Sequence, residues 1–304
     1  LALGAAYQRG LLPVSGEALE RAIELNGAAV EKNLAALRWG RAVVAAPDAV
    51  EEATRPPEAV EPVRELSEVE REIVSLAVNG DRGELRRLAE QRVPELVAYQ
   101  DADWASRWAE LVRRVHVAEQ ERTPGHSELA EAVARQLFKL MAYKDEYEVA
   151  RLHLDAVEHA KLGAEFGEDA RIYFMLHPPL LRALGLKRKL KLGRWFVPAF
   201  RLLYGMRRLR GTRLDPFGPA KVRRVERELI DEYERGVGEA LTHLTHDTHA
   251  TAVELLELPD VIRGYEEIKL RNVVLYRKRS EALLKRLQRE SDSLTASPSM
   301  LSSS

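Results

Sequence analysis

The chain has 304 residues, with 47 basic and 48 acidic side chains and a formal net charge of −1. At roughly 150 residues per domain this length predicts about two domains, and the 45% hydrophobic content excludes a wholly disordered chain. The charge balance excludes a globally basic nucleic-acid-binding protein. Because the sequence has no cysteine, it can form no disulfide and no Cys-ligated iron–sulfur or zinc site. We expect a cytoplasmic location.

The two ends of the sequence favour a segment of a longer protein that begins in mid-domain. The chain starts with Leu1, and its first ten residues lack the flanks of a signal peptide. No apolar run approaches the roughly 18 residues of a membrane span, so no membrane partner is expected. The last stretch, 291–304, is half serine and has no apolar periodicity, which predicts a disordered tail.

The first predicted element is a helix over 15–39, with Ser15 as its N-cap and an apolar stripe along one face. From 42 to 66 the stripe ends, and four prolines lie among Ala and Glu. This composition is typical of an extended linker. We therefore predict a Pro/Glu-rich linker over 42–66 and a domain boundary there.

A helical domain is predicted over 67–290. Its first helix begins with a capping box, in which Ser67 and Glu70 each bond the backbone N–H of the other. The apolar stripes of further helices follow at 104–118, 129–141, 222–241 and 262–287. Pro259 separates the last two helices of the domain.

A small β element is predicted near 171–192, within a fold that is otherwise mainly α and bundle-like. Residues 171–176 combine aromatic and β-branched side chains, and two prolines follow them. Residues 187–192 alternate loosely between polar and apolar side chains and can pair with this strand.

The strongest electrostatic anomaly is the basic stretch, 182–213, which has eleven Lys or Arg and no acidic residue. One interpretation is a docking site for an anionic partner. The other is a set of solvated or ion-paired charges, as charge runs commonly are. Aromatic residues are too sparse here to favour stacking on single-stranded nucleic acid. The candidate docking residues are Arg182, Lys187, Arg188, Lys189, Lys191, Arg194, Arg207, Arg208 and Arg210.

Three histidines, His243, His246 and His249, form an H-x-x-H-D-x-H pattern with Asp247. On a helix, two steps of three residues place the outer histidines about 120° apart, which is poor geometry for three ligands of one ion. We therefore favour exposed histidines near a helix junction over the alternative of a zinc or iron site, and predict no metal site.

A dense charged run over 144–151 offers two helical ion pairs, Lys144 with Glu148 and Glu148 with Arg151. Helix stabilisation is the favoured interpretation, and a buried carboxylate or a catalytic lysine is the alternative. The sequence has no nucleophile elbow, P-loop, H-E-x-x-H or G-x-G-x-x-G motif, so no catalytic residue is assigned.

Long phrases of the sequence resemble the large fused indolepyruvate ferredoxin oxidoreductases. The opening, LGAAYQRGLLPVSGEALERAIELNGAAVEKNLAALRWGR (3–41), resembles the end of the gamma, or catalytic, domain of 2-oxoacid:ferredoxin oxidoreductases. The phrases that resemble the C-terminal domain of the fused enzymes are LFKLMAYKDEYEVARL (137–152), HPPLL (177–181), PAFRLL (198–203), LRGTRLDPFG (209–218) and AVELLELPDVIRGYEEIK (252–269).

This resemblance implies an enzyme that oxidatively decarboxylates aryl pyruvates with coenzyme A and reduces ferredoxin. It implies thiamine diphosphate and 4Fe-4S clusters for the full-length enzyme, in domains that precede this segment, and no cofactor within it. Residues 1–41 would be the C-terminal helices of a truncated α/β gamma domain, and 67–290 a helical accessory domain. No phrase matches a thiamine, CoA or cluster motif, so the fragment alone is expected to be inactive.

Two functional hypotheses stay open. In the first, the segment assembles with the remaining domains of the enzyme, or docks ferredoxin or CoA through the basic stretch. In the second, it is an independent, non-catalytic helical module that binds a protein partner or nucleic acid. Nucleic acid is the less favoured partner, and homo-oligomerisation is left open.

Overall fold

The computed structural model describes residues 1–54, 65–78, 80–155, 173–176, 190–264 and 266–295. The chain divides into two compact units, Leu1–Glu65 and Leu66–Ser304. The described residues are mainly helical, as the sequence predicts. None of the helices in these ranges is both long and apolar enough to cross a lipid bilayer.

The helices of the first unit are α1 (Ala2–Gln8), α2 (Gly16–Asn26), α3 (Val30–Ala45) and α4 (Pro47–Thr54). Ser15 caps α2 as predicted, because its Oγ accepts a hydrogen bond from the Ala18 N–H at 3.1 Å. The single helix predicted over 15–39 is wrong. Gly27 adopts the left-handed conformation with φ 68° and ends α2, as glycines do at helix C-termini.

The linker predicted over 42–66 is wrong in its first half, which is helical to Thr54. Pro47 lies at the first position of α4, where its fixed φ and missing N–H are tolerated. The alanines and glutamates that follow are strong helix formers. Residues 55–64 of the predicted linker lie outside the described residues, and residues 65–66 are neither helical nor in a strand, as predicted.

Two glycines allow α1 and α3 to pack closely. A Cβ atom at Gly4 would lie 2.0 Å from the Leu37 carbonyl oxygen, and one at Gly40 would lie 1.9 Å from the Leu1 carbonyl oxygen. No side chain fits at these distances, so the two helices meet backbone to backbone.

The second unit holds α5 to α13 and a two-stranded sheet. Its elements are α5 (Glu68–Val78), α6 (Glu84–Tyr99), α7 (Ala102–Arg122), α8 (Glu128–Met141), α9 (Glu146–His153), β1 (Phe174–Leu176), β2 (Leu190–Leu192), α10 (Val197–Gly205), α11 (Lys221–Thr242), α12 (His249–Glu257) and α13 (Glu266–Thr295), with 3-10 helices at Arg194–Phe196, Met206–Leu209 and Leu258–Val261. The two strands pair antiparallel, with Met175 opposite Lys191. The predicted β element is thereby confirmed.

The capping box at the start of α5 forms as predicted. The Ser67 N–H donates to Glu70 Oε2 at 2.8 Å, and the Glu70 N–H donates to Ser67 Oγ at 3.3 Å. Both bonds satisfy N–H groups that a helix start leaves without a backbone partner.

The core of the second unit is built around α7 and α8. Helix α7 packs against α5, α6, α8 and α11, and α8 also packs against α6, α11 and α12. Trp108 of α7 is fully buried, and its Nε1–H donates to the Ala134 carbonyl of α8 at 3.2 Å. This bond satisfies the polar atom of the largest side chain in the core.

The disordered tail predicted over 291–304 is wrong for its first five residues, which continue α13 to Thr295. Ser293 Oγ donates to the Glu290 carbonyl at 2.8 Å, a bond that lets serine remain within a helix. The remainder of the predicted tail, 296–304, lies outside the described residues.

Candidate functional site

The structure describes only part of the predicted docking set. Lys191 lies on β2, and Arg194 begins the 3-10 helix that follows. Four of the candidates lie outside the described residues: Arg182, Lys187, Arg188 and Lys189.

The three remaining candidates differ in their exposure. Arg208 is exposed and Arg207 is half-buried, with its guanidinium 4.3 Å from the centroid of the Tyr204 ring. Arg210 is only 6% exposed. Its assignment as a docking residue is therefore wrong, because a partner cannot reach its charge.

Arg210 forms a buried ion pair with Asp145. Its Nε lies 2.5 Å from Asp145 Oδ2 and its Nη2 lies 3.0 Å from Oδ1, so the pair is bidentate. The third nitrogen, Nη1, donates to the Tyr99 carbonyl at 2.7 Å. The guanidinium also stacks on the Tyr99 ring, 3.6 Å from its centroid, a cation–π contact that is strongest when desolvated.

Asp145 caps one helix and also binds the side chain of Arg210. As the N-cap of α9 it accepts a hydrogen bond from the Glu148 N–H at 2.8 Å. Its two oxygens also hold Arg210, which follows the 3-10 helix Met206–Leu209. Asp145 thus joins the start of α9 to the end of the basic stretch.

Asp215 lies in the turn that follows Arg210 and extends the hydrogen-bond network of Asp145 and Arg210. It accepts hydrogen bonds from the Gly211 and Phe217 N–H groups at 2.9 and 3.0 Å and so closes the turn between them. Its Oδ1 also accepts from the Tyr147 hydroxyl of α9 at 3.0 Å. The turn is therefore attached to α9 by side chains on both of its flanks.

Burial sets the pKa values of the tyrosines in this network, whereas Asp145 sets that of Arg210. Burial raises the pKa of Tyr99 well above its usual value and the pKa of Tyr143 to about 12. For Arg210, burial acts to lower the pKa, but the hydrogen bonds and charge of Asp145 outweigh it, and the pKa is raised. Arg210 is therefore charged at every physiological pH.

The charged run 144–151 is partly as predicted. The pair of Glu148 with Arg151 forms at 2.8 Å, and Arg151 also reaches Glu95 of α6 at 2.7 Å. The predicted pair of Lys144 with Glu148 is wrong, because Lys144 is exposed and precedes α9. The alternative interpretation, a buried carboxylate within this run, is correct for Asp145, which is 2% exposed.

A second polar cluster surrounds His249. The interpretation of the three histidines as exposed is wrong for His249, which is 6% exposed at the first position of α12. Its Nε2 lies 2.8 Å from Oε1 of Glu119, a fully buried residue of α7. Glu119 also accepts hydrogen bonds from the Leu129 and Ala130 N–H groups, at 2.8 and 2.9 Å.

His126 and Glu128 complete this second cluster. His126 Nδ1 lies 3.2 Å from Glu128 Oε2, and the centroids of the His126 and His249 rings are 4.3 Å apart. One nitrogen or oxygen of each of these three residues lies within 4.8 Å of the others, an arrangement that can hold a metal ion. We call His126, Glu128 and His249 the histidine–glutamate cluster.

The other two histidines of the sequence pattern do not join the cluster. His246 is exposed, with its ring centroid 5.7 Å from that of His126, and His243 is half-buried. Sequence reasoning missed His126 and Glu128, because only the packing of α8 against α12 brings them to His249. No local spacing signals such a pair.

A family model described as a family of unknown function, DUF6537, matches residues 85–282. The chain belongs to this family. The DUF6537 region begins in α6 and ends in α13, so it contains both the Asp145–Arg210 network and the histidine–glutamate cluster. No curated protein and no solved structure matches the chain.

We expect the Asp145→Asn variant of this DUF6537 chain to lose about 3–5 kcal/mol in the free energy of unfolding, because Arg210 is left buried without a counter-charge. Urea denaturation measures this loss. The control is Asp231→Asn, which removes an ion pair with Arg107 at a side chain that is 60% exposed and should cost less than about 1 kcal/mol. Equal losses in the two variants would contradict the importance of the buried pair.

Proposed function

We propose that this DUF6537 chain is the C-terminal part of an indolepyruvate ferredoxin oxidoreductase, and that it docks ferredoxin for the catalytic domains of that enzyme. The first part of the proposal rests on the long sequence phrases that resemble those enzymes. The second part rests on one observation, a set of exposed arginines held by a buried anchor at the end of the basic stretch.

Three arginines of the segment 201–213 are exposed, Arg201, Arg208 and Arg213, and we call these three residues together the arginine surface. Within the described ranges, no acidic side chain forms an ion pair with any of them. Their charges are therefore available to attract an anionic partner. Ferredoxins are acidic electron carriers, so this surface complements them in charge.

Exposed apolar side chains on the same segment favour a protein partner. Trp195 is 71% exposed and Leu202 is 70% exposed. Tryptophan and arginine are enriched at the energetic centres of protein–protein interfaces. A segment that combines both residue types suits a protein such as ferredoxin better than it suits CoA alone.

The arginine surface is held in place by two attachments to the helical core. On one side of Arg208, the Tyr204 hydroxyl donates to the Ala98 carbonyl of α6 at 3.0 Å. On the other side, Arg210 is fixed by Asp145. A fixed surface loses less conformational entropy on binding than a freely moving one.

The docking role is tested with the variant Arg201→Gln/Arg208→Gln/Arg213→Gln. At low salt we expect its affinity for an acidic ferredoxin to be about tenfold weaker than that of the unmodified chain, since three exposed charges contribute roughly 0.5 kcal/mol each. Isothermal titration calorimetry of the 304-residue chain measures this, and the difference should shrink as salt is added.

The matched control for this measurement removes three exposed arginines elsewhere in the second unit, in the variant Arg71→Gln/Arg235→Gln/Arg289→Gln. It loses the same net charge, so a purely global charge effect would weaken both variants equally. That result, or an unmodified chain that does not bind ferredoxin at low salt, would refute the docking role.

The DNA sequence upstream of the codon for Leu1 tests the assignment to an indolepyruvate ferredoxin oxidoreductase. We expect the reading frame to continue upstream of Leu1 into segments with cluster-ligating cysteines and a thiamine-diphosphate-binding domain. A start codon and an unrelated gene immediately upstream would contradict the assignment and would favour an independent interaction module.

A further inference from the structure

We propose that the histidine–glutamate cluster is a zinc site, in which one nitrogen each of His126 and His249 and one carboxylate oxygen of Glu128 bind a single Zn²⁺ ion. The site does not rest on the proposed function, because its residues lie apart in sequence from the basic stretch. It joins the corner between α7 and α8 to the start of α12.

The donor atoms suit zinc in type. Two imidazole nitrogens and one carboxylate oxygen form a common ligand set for Zn²⁺. Three protein ligands leave a fourth tetrahedral position for water or for an incoming ligand. A site of this composition needs no cysteine, which the chain lacks.

The distances between the three donor atoms suit a zinc ion after a small rotation of the side chains. With bonds of 2.0–2.1 Å, two ligands of a tetrahedral zinc ion lie about 3.4 Å apart. His126 Nδ1 and Glu128 Oε2 are separated by 3.2 Å, and all three ligand atoms lie within 4.8 Å. The side chains of His126 and Glu128 are 35% and 59% exposed, so they have room to rotate toward an ion.

Glu119 prepares His249 for this role. Its carboxylate accepts hydrogen bonds from the Leu129 and Ala130 N–H groups and lies 2.8 Å from His249 Nε2. Glu119 is therefore held by the start of α8 and fixes the orientation of the His249 ring through one of its two nitrogens. In the part of the chain that the structure describes, His249 Nδ1 has no hydrogen-bond partner. A carboxylate that orients a histidine through one nitrogen and leaves the other for the metal is a recurrent feature of zinc sites.

Backbone contacts hold the segment that carries His126. Gly125 adopts φ 91°, the His126 N–H donates to the Thr123 carbonyl at 3.2 Å, and Gln120 Nε2 donates to the His126 carbonyl at 3.2 Å. The histidine is therefore positioned by a closed turn rather than by its side chain alone.

A similar turn positions His249. The Thr248 hydroxyl donates to the His243 carbonyl at 2.7 Å and accepts from the Thr245 N–H at 2.8 Å. These bonds fix the residue before His249. A site whose ligands are held in this way binds a metal with a smaller loss of conformational entropy.

The test is calorimetric titration of the tag-free, chelator-treated 304-residue chain with Zn²⁺. We expect one ion per chain, and at least tenfold weaker affinity in His126→Ala and in Glu128→Gln. Both side chains are partly exposed, so these variants should fold, which circular dichroism checks. His243→Ala is the matched control. It removes an imidazole that does not belong to the cluster and keeps the backbone carbonyl that Thr248 binds, so it should retain the affinity of the unmodified chain.

Glu119 is a positioning residue, and Glu119→Gln should weaken Zn²⁺ binding on the order of tenfold. With Co²⁺ as a spectroscopic substitute, this variant should also change the visible absorption bands of the bound ion, which a loss of helix capping alone would not do. The absence of saturable Zn²⁺ binding, or equal affinities in His126→Ala and His243→Ala, would overturn the proposal.

Discussion

The buried pair of Asp145 and Arg210 is the interaction on which the arrangement of the basic stretch depends. Both side chains are almost wholly removed from water, and such a pair is stable only when its remaining hydrogen-bonding groups are satisfied. Here the Tyr99 carbonyl and the Glu148 N–H satisfy them. Because these partners belong to α6 and α9, a single arginine fastens the end of the basic stretch to two helices.

Glu119 and Asp145 have the same structural role in two different places. Each is a buried carboxylate that accepts N–H groups at the start of a helix, where the helix dipole favours negative charge. Each also binds a basic side chain from a distant part of the chain. Arg210 is fully engaged by its partners, so its network is structural. His249 has a second ring nitrogen that Glu119 does not use, so its cluster can bind a further group.

The sequence predicts the parts of the fold that depend on neighbouring residues. Ser15 and the pair of Ser67 with Glu70 were identifiable as caps because their partners lie three residues away. The β element was identifiable from its aromatic and β-branched composition. The linker prediction fails at Pro47, because a proline can begin a helix as well as interrupt one.

The two polar clusters could not be predicted in the same way. Arg210 belongs to a run of basic residues that gives no sign of which one is buried. His126 and His249 are brought together by packing between helices that are far apart in sequence. Such contacts depend on the tertiary fold, and a single sequence carries no spacing that indicates them.

The most direct test of the central claim is amide hydrogen exchange on the unmodified chain and on Arg210→Gln. If Arg210 fastens the basic stretch to the helical core, the variant should show faster exchange of the amides over 197–215 than the unmodified chain. This increase should exceed the increase in α7 and α8, which reports only the lower global stability of the variant. Exchange over 197–215 that is unchanged in the variant, or that rises equally in α7 and α8, would contradict the claim.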